Sequence, residues 1–264
     1  MKAVAAVAAG SQPFAAGQIL HLRWADSAPV AAPGQFFLVR CTPSPDHWDP
    51  YLRRALPPIA LLPDHLALWI ADPRDRGLAW LLAQPPGAAI DLLGPGGHGF
   101  DLPTSPANVL ILAVGAGVGP VWPAMNAALA AGCQVTLALA APTSDYAPPP
   151  SLTPIAVEYR LATADGSAGI DGDLFDLLPG LEGWPDRIYA ALPRAALPRA
   201  AWPRLRAWID GWRPWMGTGF AQIFVDADLT CGVGACQTCR VEMANGRRPR
   251  ACVHGPVFDL ARLT

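Results

Sequence analysis

An α/β-plus-β architecture in three parts is predicted: an N-terminal antiparallel β-barrel (residues 1–100), a central α/β domain on a parallel sheet (101–215) and a small cysteine-bearing C-terminal domain (216–264). Three observations predict it. Short β-type runs separated by Gly, Pro and Asp fill the first part. After Pro106 apolar runs alternate with helix-like segments, the pattern of βαβ units. Four of the six cysteines then crowd between positions 231 and 252.

In the first part, residues 3–10 read as an opening strand, because the apolar run is too short for a secretory leader and lacks a cleavage context before Gln12-Pro13. Further β-type runs follow at 19–24, 36–41, 55–62, 66–71 and 89–93. Pro33-Gly34-Gln35 reads as a turn feeding a core strand, and Asp75-Arg76-Gly77-Leu78 as a turn before a short helix closed by Pro85-Pro86-Gly87. The glycine-dense stretch Gly94-Pro95-Gly96-Gly97-His98-Gly99-Phe100 marks the first domain boundary.

In the second part, 108–114 is a fully apolar strand, Gly115-Ala116-Gly117-Val118-Gly119-Pro120 a glycine turn and 121–131 an apolar helix. Strands at 135–140, 155–159 and 187–191 and a short helix at 174–178 continue the alternation. The strand, glycine turn and helix place the amides of Gly115, Gly117 and Gly119 where a phosphate would sit. Tight packing of strand against helix asks for the same glycines, so the turn fits either reading. Residues 197–212 read as a helix interrupted by Pro203, whose Trp202, Trp208 and Trp212 are by default core packing, and 220–225 as a strand leading into the cysteines.

Cys231-Gly232-Val233-Gly234-Ala235-Cys236-Gln237-Thr238-Cys239 and the later Cys252 follow C-x4-C-x2-C and then x12-C, the plant-type spacing for a [2Fe-2S] cluster. Gly232 and Gly234 suit a loop that wraps a cluster, where a Cβ would obstruct the backbone. Structural zinc and a disulfide pair are the alternatives. Zinc ribbons prefer two C-x2-C knuckles and the chain has one. Asn245-Gly246 is a hairpin signal between 241–243 and 250–253, bringing Cys252 back to the other three. Cys41 and Cys133 lie in apolar segments and read as buried small hydrophobes. His254 beside Cys252 reads as a turn cap, and His21, His47, His65 and His98 show no metal-ligand spacing.

The composition excludes several classes. A formal charge of −2 with no basic run gives no reason to expect nucleic acid or an anionic membrane surface. No charged residue falls between Asp101 and Asp145, but Gly115 to Pro120 and Pro123 break the stretch, so no membrane span is expected. The 30 prolines, about twice the usual share, and a lone lysine, Lys2, are a bias of the whole chain. Thiols held reduced for a cluster point to the cytoplasm. No nucleophile, general base or paired carboxylates stand out.

The order of parts resembles the electron-transfer subunit of bacterial dihydroorotate dehydrogenase, within the ferredoxin-reductase superfamily. The resemblance is carried by Thr230 to Cys239, by Cys252-Val253-His254-Gly255-Pro256-Val257-Phe258, by the Gly94 to Phe100 junction and by Asp165-Gly166-Ser167-Ala168-Gly169. It implies electron transfer between NADH and FAD, and a cluster linking FAD to FMN in a separate catalytic subunit. It therefore implies a hetero-oligomer, with cluster ligands Cys231, Cys236, Cys239 and Cys252 and flavin contacts at Arg54 and Gly77.

Departures from the family fall in the nucleotide motifs. Its Arg-Pro-x-Ser, whose arginine pairs with the flavin pyrophosphate, is matched by Arg54-Ala55-Leu56-Pro57, which keeps the arginine and lacks the hydroxyl. Its Gly-x-Gly-Thr is matched by Asp75-Arg76-Gly77-Leu78, and its Cys-Gly-Pro by Ala191-Leu192-Pro193. These lead to an expectation of FAD by resemblance with weak or absent NAD(P)H use. The alternative is a cluster-bearing docking or relay subunit that has lost FAD, NAD or both. Arg240, Arg247, Arg248 and Arg250 surround the cysteine loop as candidate polar contacts for a partner. The segment 208–220, with Trp208, Trp212 and Trp215, is the expected apolar centre of that contact.

Overall fold

The computed structural model describes residues 1–42, 49–192 and 201–263. His47, Pro193 and positions 197–200 of the expected helix lie outside them. Strands β1 (Lys2–Phe14), β2 (Gly17–Trp24), β3 (Phe36–Val39), β4 (Arg54–Leu56), β5 (Pro58–Leu61), β6 (His65–Ile70) and β7 (Ala89–Gly96), with helix α1 (Arg76–Leu82) before β7, make the first part. The strands form an antiparallel sheet in the order β4-β3-β7-β1-β2-β6-β5. The expected single strand at 55–62 is two strands. Pro57 and Pro58 have no N–H to give to a ladder, and the chain passes there from one edge of the sheet to the other. Since β4 and β5 are the two edges and only Pro57 separates them, the sheet curls until its edges adjoin, as a barrel does.

The second sheet is built from β8 (Asn108–Val114), β9 (Gln134–Ala141), β10 (Val157–Thr163), β11 (Ile170–Asp171), β12 (Arg187–Ala191), β13 (Ala221–Phe224) and β14 (Val257–Asp259). Its order is β11-β10-β9-β8-β12-β13-β14, parallel throughout except for β14. After β8 the chain turns through a 3₁₀ segment (Gly115–Gly117) into α2 (Val118–Ala130). That helix begins three residues before the position expected from Pro120. A proline in the first turn removes an N–H that has no intrahelical partner anyway. Pro203 likewise lies within α3 (Ala201–Asp210) without interrupting it. The expected helix at 174–178 is a 3₁₀ turn capped by Asp173, whose side chain accepts from the Phe175 amide.

After β13 the chain leaves the sheet, forms the cysteine loop and returns as β14, so the cysteine-bearing segment is tied at both ends to the α/β sheet. Across the Asn245-Gly246 turn the two arms pair as expected, the Met243 amide donating to the Arg247 carbonyl and the Val241 amide to the Pro249 carbonyl, but only as far as Arg250. Arg240 and Arg250 bridge antiparallel, but Cys252 then sits on a helical turn, α4 (Ala251–His254), because the His254 amide bonds back to the Arg250 carbonyl.

Two packing contacts fix the parts together. From the barrel, Phe14 meets Trp69 and Trp122 edge-on, each with centroids 5.3 Å apart. The Trp69 ring lies over the glycine turn, donating from Nε1 to the Ala116 carbonyl at 3.1 Å. On the other side, Phe36 and Leu38 of β3 share one core with Ile188, Ile223, Val241, Cys239 and Cys252. Burial of such side chains contributes roughly 1.5–3 kcal/mol each. Trp208 and Trp212 also pack on this core, stacked edge-on at 5.3 Å, which leaves Trp215 as the exposed member of the expected tryptophan contact.

Candidate functional site: the cysteine loop

The loop is shaped by three left-handed residues, Gly232 (φ +65°), Gly234 (φ +78°) and Gln237 (φ +62°). Gly232 is required twice over. A Cβ there would lie 2.5 Å from Leu38 and 2.7 Å from Met1, so the loop is pressed against the barrel. At Gly234 a Cβ would crowd Val253 at 3.0 Å and the Arg250 guanidinium at 3.3 Å. Arg250 donates to the Gly234 carbonyl at 3.0 Å, and the Ala251 amide donates to the Cys239 carbonyl at 2.8 Å. These bonds hold the returning segment against the loop.

The four thiols neighbour one another around the loop. The Cys236 amide donates to Cys231 Sγ at 3.5 Å, and Cys236 Sγ lies 3.1 Å from Thr238 Oγ1, which donates to the Asp228 carbonyl. Cys252 has Cys239 as its side-chain neighbour and also feels Cys231. Hydrogen bonds from the Cys236 amide, and further ones from Val233 and Ala235, pull the Cys231 thiol down to about 6. Burial, with the neighbouring Cys239, pushes Cys252 up to about 12. Cys239 and Cys252 are buried, Cys231 is half-buried and Cys236 is exposed. Among the described residues no three His, Cys, Asp or Glu side chains converge on one ion position. The four candidate donors are all thiols, the ligand type that holds an iron-sulfur centre. Cys41 and Cys133 are buried far from this loop in sequence, as expected, and burial raises Cys41 to about 11.

The expected flavin residues lie on the barrel. Arg54 opens β4 and Gly77 lies in α1, its missing Cβ leaving only 2.9 Å to Cys41 and 3.4 Å to the Arg54 guanidinium carbon. Arg54 is already engaged. Its Nε and Nη2 each stand 3.0 Å from a carboxylate oxygen of Asp75, which also caps α1 by accepting from the Leu78 amide. Burial works to raise the Asp75 carboxyl, but these contacts together bring it below its usual range. Leu192 follows β12 directly, with its side chain in the core. At the glycine turn, Gly115 takes φ +50° with open space beyond it, whereas a Cβ on Gly119 would stand 2.0 Å from the Trp69 ring. Gly119 is thus explained by packing.

Sequence reasoning missed the pairing of His21 with His65, whose Nδ1 and Nε2 are 2.8 Å apart across β2 and β6. They stand 44 positions apart, and no local spacing could show it. His254 Nδ1 faces the Arg250 amide at 3.4 Å, the turn-capping position expected for it.

Residues 227–264 match the family model described as the iron-sulfur cluster binding domain of dihydroorotate dehydrogenase B. The chain is 29% identical over 243 residues to the electron transfer subunit of dihydroorotate dehydrogenase B (NAD(+)) from Desulforamulus reducens, covering 88% of this chain and 87% of that protein. It is 31% identical over 235 residues to the subunit of the same name from Geobacillus kaustophilus, covering 86% and 84%. Among solved structures, an NADH-dependent reduced ferredoxin-NADP oxidoreductase superposes with a TM-score of 0.78 at 21% identity over 98% of this chain and 89% of that one. The ferredoxin reductase of carbazole 1,9a-dioxygenase gives 0.64 at 20% over 80% and 66%. The superpositions establish a ferredoxin reductase-like fold, and the sequence likeness over nearly the whole length places the chain in the family of dihydroorotate dehydrogenase B electron transfer subunits.

Proposed function

We propose that the chain passes electrons between a flavin and a partner flavoprotein through a [2Fe-2S] cluster held by Cys231, Cys236, Cys239 and Cys252, in a dihydroorotate dehydrogenase-like complex of pyrimidine biosynthesis. The observation that carries this reading is the plant-type cysteine spacing on a loop whose amides point at the Cys231 sulfur. A bound cluster supplies one-electron transfer. The chain's residues do the rest. Amides of Val233, Ala235 and Cys236 stabilise negative charge on the Cys231 sulfur, which favours the reduced state of such a centre. Leu38 and Met1 pack against the inner side of the loop at Gly232, while Cys236 and the 64% exposed Val233 leave the outer side open to a partner.

On this reading residues 1–100 carry FAD, 101–215 most of the nucleotide-type sheet, and 216–264 the cluster together with the edge strands β13 and β14 of that sheet. Arg54 and Gly77 would hold the flavin phosphates, with Arg54 first released from Asp75. The relatives are named for NAD(+); for this chain we infer weak or absent NAD(P)H use, since Leu192 replaces a glycine and the Gly119 end of the turn is covered by Trp69. The partner is an FMN-containing dihydroorotate dehydrogenase-type catalytic subunit, in a cytoplasmic hetero-oligomer. No described helix is long and apolar enough to cross a membrane.

Co-expression with that catalytic subunit tests the reading. A stable complex that moves electrons from dihydroorotate to a flavin on this chain supports it. A chain that never associates, or that carries no flavin in the complex, contradicts it.

A further inference from the structure

Beside the cysteine loop lies a cavity of about 840 Å3 whose walls carry five arginines, Arg240, Arg247, Arg248, Arg250 and Arg262. Among the described residues that line it none is acidic. Arg240 and Arg250 lean onto the loop, bonding to Gln237 and the Gly234 carbonyl, and Arg248 pairs with Glu242 at 3.0 Å. The guanidinium groups of Arg247 and Arg262 make no hydrogen bond or ion pair with any described residue, and both are exposed. A chain with a formal charge of −2 therefore concentrates positive charge at one place, and that place adjoins the exposed thiol Cys236.

The shape favours a protein over a small molecule. The cavity is broad and open, with most of its arginines in solvent, so a free anion would stay hydrated and gain little from any one guanidinium. Several guanidinium forks presented together are suited to carboxylates, which they meet two bonds at a time. A basic field of this kind acts mainly on the rate of encounter and on orientation. We propose that this cavity receives an acidic stretch on the redox partner, with at least two carboxylates reaching Arg247 and Arg262, and so seats the partner's redox centre over the Cys236 side of the loop. The proposal rests on the reading that the cluster exchanges electrons with a second protein.

The test is association kinetics of the full, cluster-loaded chain with the dihydroorotate dehydrogenase catalytic subunit from the same source, over a range of ionic strength. The expected result is that Arg247→Glu with Arg262→Glu slows association at low salt by about tenfold or more, within the range electrostatic steering spans, and flattens the salt dependence. Iron content and visible spectrum should stay unchanged, and Arg247→Lys with Arg262→Lys should keep most of the rate. An unchanged rate and salt slope in the charge-reversed chain would overturn the proposal. So would saturable micromolar binding of inorganic pyrophosphate lost in the same variant, which assigns the cavity to a small polyanion. Failure of the unaltered chain to bind the subunit at any salt would strike the functional reading itself, and is distinguishable because it needs no variant.

Discussion

Arg54 and Asp75 face each other fork to fork, with Nε–Oδ1 and Nη2–Oδ2 both at 3.0 Å. The carboxylate thus occupies two donors of Arg54, the residue proposed to meet the flavin pyrophosphate, while also capping α1. Flavin binding and the Arg54–Asp75 pair are therefore expected to compete.

Asp75→Asn is expected to tighten FAD binding, because the amide can still accept from the Leu78 amide but no longer neutralises Arg54. The hydrogen bonds freed are charge-assisted, about 1.5–3 kcal/mol each; even partial recovery gives a tenfold or greater gain in affinity. Arg54→Ala should weaken binding by a similar factor. Titration of flavin fluorescence with the apo-flavin protein measures both, and equal affinity in all three proteins would show that Arg54 does not meet the flavin.

The His21–His65 pair makes the barrel sensitive to acid. Burial, and then the neighbouring His65, lower the His21 pKa from 6.5. The folded chain takes up the proton less readily than the unfolded chain, so this contribution is fully present above pH 6.5 and is lost as pH falls through the folded pKa. Denaturant midpoints should therefore fall between pH 7 and 5 more steeply in the native chain than in His21→Gln. Parallel pH profiles for the two would contradict the coupling.

Gly119 and Gly115 separate packing from backbone strain within one turn. Gly119→Ala forces a methyl into the Trp69 ring and should cost about 1–3 kcal/mol, as overpacking does. Trp69→Leu should recover part of that loss in the double variant. Gly115→Ala has free space but φ +50°, and should cost about 1–2 kcal/mol that Trp69→Leu leaves untouched. Thermal denaturation of the set measures the difference.

What the sequence made legible was local. Strands β8, β9, β12 and β13 announced themselves as runs of apolar residues, whereas β10, with Glu158 and Arg160, runs 157–163 rather than the expected 155–159 and the two-residue β11 left no signal; the cysteine spacing located the candidate ligands because nine consecutive positions carry three of them. Contacts that depend on how distant strands register were not legible. Asp75 meets Arg54 across 21 positions, and His21 meets His65 only because β2 and β6 pair. Cys252 looked like a strand residue since the Asn245-Gly246 turn is a true hairpin signal, yet the chain coils into α4 immediately after Arg250. Trp208 and Trp212 pack on the core behind β13, the default reading for a tryptophan-rich helix, and of the expected contact only Trp215 stays exposed. Pro57 split a strand for a reason visible only in the sheet order, where β4 and β5 are opposite edges.

The central claim is the binuclear cluster on Cys231, Cys236, Cys239 and Cys252, and iron and acid-labile sulfide analysis of anaerobically purified chain tests it most directly. About two irons and two sulfides per chain are expected from the ligand spacing, with the iron lost in Cys236→Ala and kept in Cys133→Ala. Stoichiometric zinc, four irons, or full iron retention in Cys236→Ala would contradict it.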